Sequence, residues 1–306
     1  METNWFAKRP VKDVRPGDHA WLAYSGAEER DLVIGGFVGE GLDTGEKIVY
    51  VTEAGPETLP GIATRTGAEL RTFLGSRQLR VIGHRDACLD GHGRFVPEKM
   101  AETIDRESGE AFGQGFRAVR ITTDHSWLLR GPGRHDLGQM VGCEHRMGDA
   151  VAPSTMAMAI CQIERRACLP DELAALRDTH EVLVEVDPEF SDEVLTIVRT
   201  FDPPGLRVEG ELDSARHTVF ADTLARASAG RRVVLLDVSR LAFIDLGGLH
   251  LLTLHANGPA GVRIVLDGLT PAVEAVIDMV GWHRLPGIVR GRRPAASTER
   301  FGGGIS

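Results

Sequence analysis

In the first half of the chain, short apolar runs rich in β-branched residues alternate with stretches whose apolar positions recur at helical spacing. That alternation is the pattern of a parallel sheet covered by helices. The runs predict strands at Ala20–Tyr24, Lys47–Glu53, Leu79–His84, Phe116–Thr123 and Thr155–Ile163, with a short one at Val182–Val186. Between them, Glu28–Gly41 reads as a helix with Ile34, Phe37, Val38 and Gly41 on one face. Pro97–Gly109 opens with proline at a first-turn position, where the missing N–H does no harm. Asp136–Ala150 and Asp171–His180 are the remaining helices.

The second half reads as a unit of about 90 residues. Its strands are expected at Val194–Phe201, Leu206–Glu209, Val233–Val238 and Arg263–Leu266, and its helices at Ser214–Ala229, Gly247–Ala256 and Pro271–Gly281. In the last helix Thr270 can cap, Pro271 sits in the first turn, and Val273, Val276, Ile277 and Val280 share a face. The expected organisation is an extension over 1–16, a domain over 17–187, a polar linker over 188–193, a second domain over 194–290 and a flexible, mildly basic tail over 291–306.

Composition narrows the class. A chain of 306 residues, 42% hydrophobic and 26% charged, is long enough for two cores. The net charge of −9 argues against nonspecific binding to nucleic acid or anionic lipid. No apolar run approaches the roughly 18 residues that span a bilayer, and Met1–Asp13 lacks the apolar stretch of a signal peptide. Cys88, Cys143, Cys161 and Cys168 are irregularly spaced and make no disulfide framework. A cytoplasmic α/β protein is expected.

The segment Val233-Val-Leu-Leu-Asp-Val-Ser239, followed by Leu241-Ala-Phe-Ile-Asp-Leu-Gly-Gly-Leu249, carries a buried strand, a turn after Asp237, a second short apolar run ending in Asp245, and a helix entered through two glycines. With Gly210-Glu-Leu-Asp213 upstream, it resembles a STAS domain, the module of anti-sigma-factor antagonists, over about Val194 to Val289. The resemblance implies a partner-docking surface at Asp245, Leu246, Gly247 and Gly248, and an anti-sigma factor of the histidine-kinase ATPase type as partner. In that family a serine phosphorylated by the partner usually follows the Asp. A helix N-terminus suits phosphate, but here Leu246 holds the position, a degenerate phosphosite without a hydroxyl. An exposed Leu246 would add apolar contact area to a permanently competent interface. A buried one would remove the docking surface.

The first half resembles a MEDS domain, a sensory module of methanogens and methylotroph regulators, from about Gly17 to Val186. The resemblance rests on Gly17-Asp-His-Ala-Trp-Leu-Ala-Tyr24, Ala27-Glu-Glu-Arg-Asp31, Gly41-Leu-Asp-Thr-Gly-Glu-Lys-Ile-Val-Tyr-Val-Thr-Glu53, Phe116-Arg-Ala-Val-Arg-Ile-Thr-Thr-Asp-His-Ser-Trp-Leu-Leu129, Ala159-Ile-Cys-Gln-Ile-Glu-Arg-Arg166 and Arg177-Asp-Thr-His180. It implies a RecA-like parallel sheet that has lost nucleotide hydrolysis and senses a small molecule. The sequence departs from the family at His180-Glu181 and Asp124-His125.

The residues agree that this is no working ATPase. Gly39 to Lys47 is the nearest approach to a P-loop, but its spacing is wrong, no Ser or Thr follows Lys47, and it runs from helix to strand rather than strand to helix. His84, Cys88 and His92 would line up as metal ligands only on a continuous helix, which Asp90-Gly-His-Gly93 breaks. No metal ligands and no cofactor are assigned. His125 and the Cys143-Glu144-His145 triplet suggest metal or acid–base chemistry, against simple packing of His125 and Trp127 under the Asp136–Ala150 helix. Tyr24, Glu53, Asp124 and His125 all fall at ends of predicted parallel strands, the edge where open α/β sheets bind ligands, and are the expected lining of any pocket. His19 starts its strand and is expected to make a structural hydrogen bond. No nucleophile elbow is present.

The reading that follows is a non-enzymatic signalling regulator, antagonist-like, docking an anti-sigma factor under control of a small-molecule or partner-sensing domain. Two alternatives stay open: a nucleotide-binding RecA-like regulator, and a STAS scaffold in a multi-protein complex, with self-association into a homo-oligomer compatible with either.

Overall fold

An apolar run buried on both faces belongs in the middle of a sheet with helices on either side. In the computed structural model, which describes residues 7–130, 136–151, 153–258 and 261–291, the runs of the first half lie there. The chain divides into two units, residues 1–187 and 188–306, each with its own hydrophobic core.

The first unit runs β1 (Ala7–Pro10), β2 (His19–Tyr24), α1 (Ala27–Asp43), β3 (Lys47–Val51), α2 (Gly67–Gly75), β4 (Leu79–Ile82), α3 (His84–Ala87), α4 (Pro97–Gly113), β5 (Val119–Asp124), α5 (Leu137–Ala150), β6 (Ala157–Glu164), α6 (Pro170–Arg177) and β7 (Val182–Glu185). Its seven strands form one sheet in the order β1-β7-β2-β6-β5-β3-β4, with every neighbouring pair parallel. All of β3 is buried, as is β6 apart from Glu164. The α1 face of Ile34, Phe37, Val38 and Gly41 is buried as its spacing predicts. Only Ser25 and Gly26 separate β2 from α1, too few residues to wrap a phosphate. Two cations interrupt the apolar strands and are paired. Lys47 Nζ lies 3.0 Å from Glu107 Oε2, and Arg120 Nη1 lies 2.9 Å from Glu40 Oε2.

Two features depart from expectation. Part of the expected N-terminal extension is a strand, because β1 adds to the free edge of β7 in the register Ala7–Val182 to Pro10–Glu185. The second is α2, which has no buried residue and therefore no apolar stripe to reveal it. A capping box holds its start: Thr66 Oγ1 accepts from the Glu69 N–H, and Glu69 Oε2 accepts from the Thr66 N–H at 2.8 Å.

The second unit runs β8 (Phe190–Ser191), β9 (Leu195–Phe201), β10 (Pro204–Leu212), α7 (His217–Ser228), β11 (Val233–Ile244), α8 (Leu246–Ala256), β12 (Arg263–Asp267), α9 (Pro271–Val280) and β13 (Ile288–Arg290). Its sheet has the order β13-β12-β11-β10-β9-β8, parallel from β10 to β13 and antiparallel where β9 meets β10 and β8. Two of the residues expected as linker, Phe190 and Ser191, instead form the edge strand β8. Asp192 Oδ1 accepts from the N–H groups of Val194 (2.9 Å) and Leu195 (2.7 Å) and turns the chain into a hairpin. The turn expected after Asp237 is absent as well. β11 continues to Ile244, and register shifts against β10 take up the irregularity. Thr270 caps α9 as predicted, and Val273 and Ile277 are buried. The expected tail beyond Gly291 lies outside the described residues. Among the described residues no helix is long and apolar enough to cross a membrane.

Candidate functional site

In the first unit, polar groups from several elements meet inside the core. α5 presents Met140, Cys143, Met147 and Ala150 inward, and Glu144 falls in the same buried stripe. Its carboxylate is fully enclosed. Oε1 accepts from His125 Nδ1 at 2.6 Å, while Oε2 lies 3.3 Å from His19 Nε2 and 3.4 Å from His180 Nε2 without forming a hydrogen bond to either. His19 Nε2 is also 3.2 Å from Cys161 Sγ on the neighbouring strand. The rings of His19 and His180 have centroids 4.1 Å apart. Beyond this group, His125 Nε2 and Thr123 Oγ1 share a hydrogen bond of 3.1 Å, and His180 Nδ1 donates to the Leu176 carbonyl at 2.9 Å. His19, Glu144, Cys161 and His180 each offer one atom within 4.8 Å of the others.

The electrostatics follow from the enclosure. Burial works to raise the Glu144 carboxyl, but the imidazoles of His125, His180 and His19 around it hold it well below the usual carboxylate range. Burial works to lower His125, and the facing Glu144 carboxylate wins and raises it. Burial and the neighbouring His180 lower His19. Burial drives the Cys161 thiol well up.

The four strand-end residues do not converge on one pocket. Tyr24 and Asp124 do meet, with Tyr24 Oη donating to Asp124 Oδ2 at 3.1 Å and Ser126 Oγ lying 3.3 Å away. Glu53 turns elsewhere, its Oε1 accepting from the His84 N–H at 2.5 Å. His125 points into the core toward Glu144. A cavity of about 360 Å³ opens beside β2, lined by Trp21, Ala23, Arg165, Leu173, Arg177 and Leu183 among others, and none of the four lines it. His84 stacks on Trp127 with ring centroids 4.3 Å apart, and α3 ends at Ala87, so the His84–Cys88–His92 spacing assembles nothing. The residues that do gather read differently in the sequence. His19 looks merely structural there, and Cys161 and His180 stand in segments that carry the family resemblance without any ligand role.

In the second unit, Asp245 caps α8. Its Oδ1 accepts from the Gly248 N–H at 2.7 Å and from His217 Nε2 at 2.8 Å. Burial opposes ionisation there, but those two hydrogen bonds keep the carboxyl below its ordinary range. Both glycines are needed for close approach. A Cβ on Gly247 would collide with the His217 ring, and one on Gly248 would sit 2.9 Å from Ile244 Cγ1. Leu246 is 65% exposed, and His250 and Leu254 continue its stripe along the outer face of α8. The alternative of a buried Leu246 is thereby removed.

The family model described as MEDS, the methanogen/methylotroph, DcmR sensory domain, matches residues 18–181. A STAS family model, described as Mlab, STAS domain, matches residues 195–290. No curated protein matches the chain. Among solved structures, the chain is similar to the flagellar accessory protein FlaH from Methanocaldococcus jannaschii, with 14% identity, 61% of this chain and 78% of that one covered, and a TM-score of 0.40. It is also similar to a DnaB-like replicative helicase, with 10% identity, 70% of this chain and 63% of that one covered, and a TM-score of 0.38. Likeness at that level carries no argument about activity.

Proposed function

This chain belongs to the MEDS family and carries a STAS domain behind the sensory one, and from that premise we propose that it docks an anti-sigma factor through α8 while the first unit senses a small ligand or partner. A sensory domain followed by a STAS domain makes a signalling regulator of the anti-sigma antagonist type. The exposed Leu246 at the start of α8 carries the finer reading. It places an apolar contact on the edge of a helix whose first turn is already capped by Asp245, and no hydroxyl is there to be phosphorylated. Docking is then constitutive at this residue, and control passes to the sensory unit, where a ligand acts by favouring one of two conformations. The reading is non-enzymatic.

The test is capture of histidine-kinase-type anti-sigma factors from the source cell by tagged full-length protein. Capture is expected from the native chain and lost with Leu246→Glu, which puts a charge in the apolar contact without touching the core. Leu246→Ser is expected to be phosphorylated by the captured kinase. Equal capture by the native chain and Leu246→Glu would sink the proposal.

The missing hydroxyl also favours a second reading, a STAS scaffold assembled without phosphorylation control. Native capture of other STAS proteins in place of a kinase would select it.

A further inference from the structure

We propose that His19, Glu144, Cys161 and His180 are the ligands of a tetrahedrally bound divalent metal ion of the zinc class in the core of the first unit. The inference is independent of what α8 docks.

Convergence is the first argument. With metal–ligand bonds of about 2.0–2.3 Å, neighbouring donor atoms of a tetrahedral zinc site stand roughly 3.3–3.8 Å apart. The approaches of His19 Nε2 to Cys161 Sγ, His19 Nε2 to Glu144 Oε2 and His180 Nε2 to Glu144 Oε2 are 3.2, 3.3 and 3.4 Å, and all four donor atoms lie within 4.8 Å of one another. The four come from β2, α5, β6 and the segment between α6 and β7, so no local turn or helix explains the gathering.

Unused bonding capacity is the second argument, and the most specific. Glu144 Oε2 and His180 Nε2 are buried and make no hydrogen bond. A buried polar atom left without a partner costs about 1–3 kcal/mol. The two atoms lie 3.4 Å apart, and a cation bound by both would satisfy both.

The third argument lies one layer out. The Leu176 carbonyl can only accept, so its 2.9 Å contact places the proton of His180 on Nδ1 and leaves the Nε2 lone pair free to ligate. On the other side, the hydrogen bond from His125 occupies Glu144 Oε1 and leaves Oε2 available. Thr123 Oγ1 in turn fixes His125. Each of these contacts orients a donor inward.

Donor type selects the ion. Two imidazole nitrogens, one sulfur and one carboxylate oxygen suit a borderline cation, whereas magnesium and calcium require six or more mostly oxygen ligands. When the ion binds, the Cys161 thiol gives its proton to solvent. Thiolate, carboxylate and divalent cation then sum to zero charge, so the ion and its four ligands together are neutral. Four protein ligands with no open position describe a structural ion rather than a catalytic one.

The experiment uses the untagged full-length chain, refolded with zinc chloride and dialysed against metal-free buffer, with bound metal counted by mass spectrometry. One zinc per chain is expected. The cobalt-substituted protein should show the intense visible bands of a tetrahedral site and a thiolate-to-cobalt charge-transfer band. Cys161→Ser, close to isosteric, should lose that band and bind zinc at least about tenfold more weakly. His125→Gln, which disturbs only an outer partner, should weaken binding about 10- to 100-fold. Cys88→Ser changes a buried thiol outside the group and should leave one zinc and the band in place. Folded native protein without zinc after this treatment, a cobalt complex without the thiolate band, or full zinc retention by Cys161→Ser together with His180→Gln would each overturn the assignment. The native cobalt spectrum decides even if a variant fails to fold.

Discussion

Gly247 is small because His217 is close, and the hydrogen bond from His217 to Asp245 ties α7 to the start of α8. A methyl group at 247 must push the imidazole aside and break its 2.8 Å bond to Asp245. Gly247→Ala is therefore expected to destabilise the second unit by about 1–3 kcal/mol, the usual range for overpacking a fitted contact. The same substitution made on a His217→Ala background should lose most of that penalty. A double-mutant cycle by denaturant titration measures the difference. The same scale decides how much of each site the sequence discloses. Asp245 and the two glycines lie within four consecutive residues, so the motif is legible as written. Glu144 is legible in part, because Met140, Cys143, Met147 and Ala150 mark the inward stripe of α5 and a carboxylate inside that stripe must find partners. Those partners are not legible. A histidine opening a strand, a cysteine within an apolar run and a histidine after a helix each look like ordinary residues until the sheet brings them together.

At the scale of elements, the hairpin from β8 to β9 replaces what composition reads as a linker. Asp192 organises it. Arg216 first, and then the N–H groups of Leu195 and Val194, hold its carboxyl down to about 2 from an ordinary 3.8. A carboxyl whose value is lower folded than unfolded stabilises the fold above its unfolded value, and the contribution is lost as the pH falls through the folded one. The second unit should accordingly weaken as pH drops from about 4 to about 2. Asp192→Asn should flatten that part of the profile, as followed by denaturant melts at a series of pH values. The elements that sequence patterning finds are those with an apolar stripe, such as α1, α9 and the buried strands. Those it misses, β1, β8, β13, α2 and α3, are short or exposed and are held by pairing partners or by hydrogen bonds at their ends rather than by their own periodicity.

At the scale of the molecule there are two cores, and neither sheet borrows a strand from the other unit. A fragment of residues 188–306 is therefore expected to fold alone, with a cooperative thermal transition and dispersed amide resonances. A fragment that stays unfolded would show that the second core depends on the first. The first unit is organised differently, because its opening strand has a single neighbour and that neighbour is the unit's last strand. Lys12 and Asp187, whose hydrogen bond seals this pairing, stand 175 residues apart in the chain. During synthesis, then, β1 emerges early and has nothing to pair with until β7 has left the ribosome. The strand nearest the start of the unit is the last to find its place, and until β7 emerges the nascent chain carries an unpaired β-segment that a chaperone can hold or a neighbouring chain can capture.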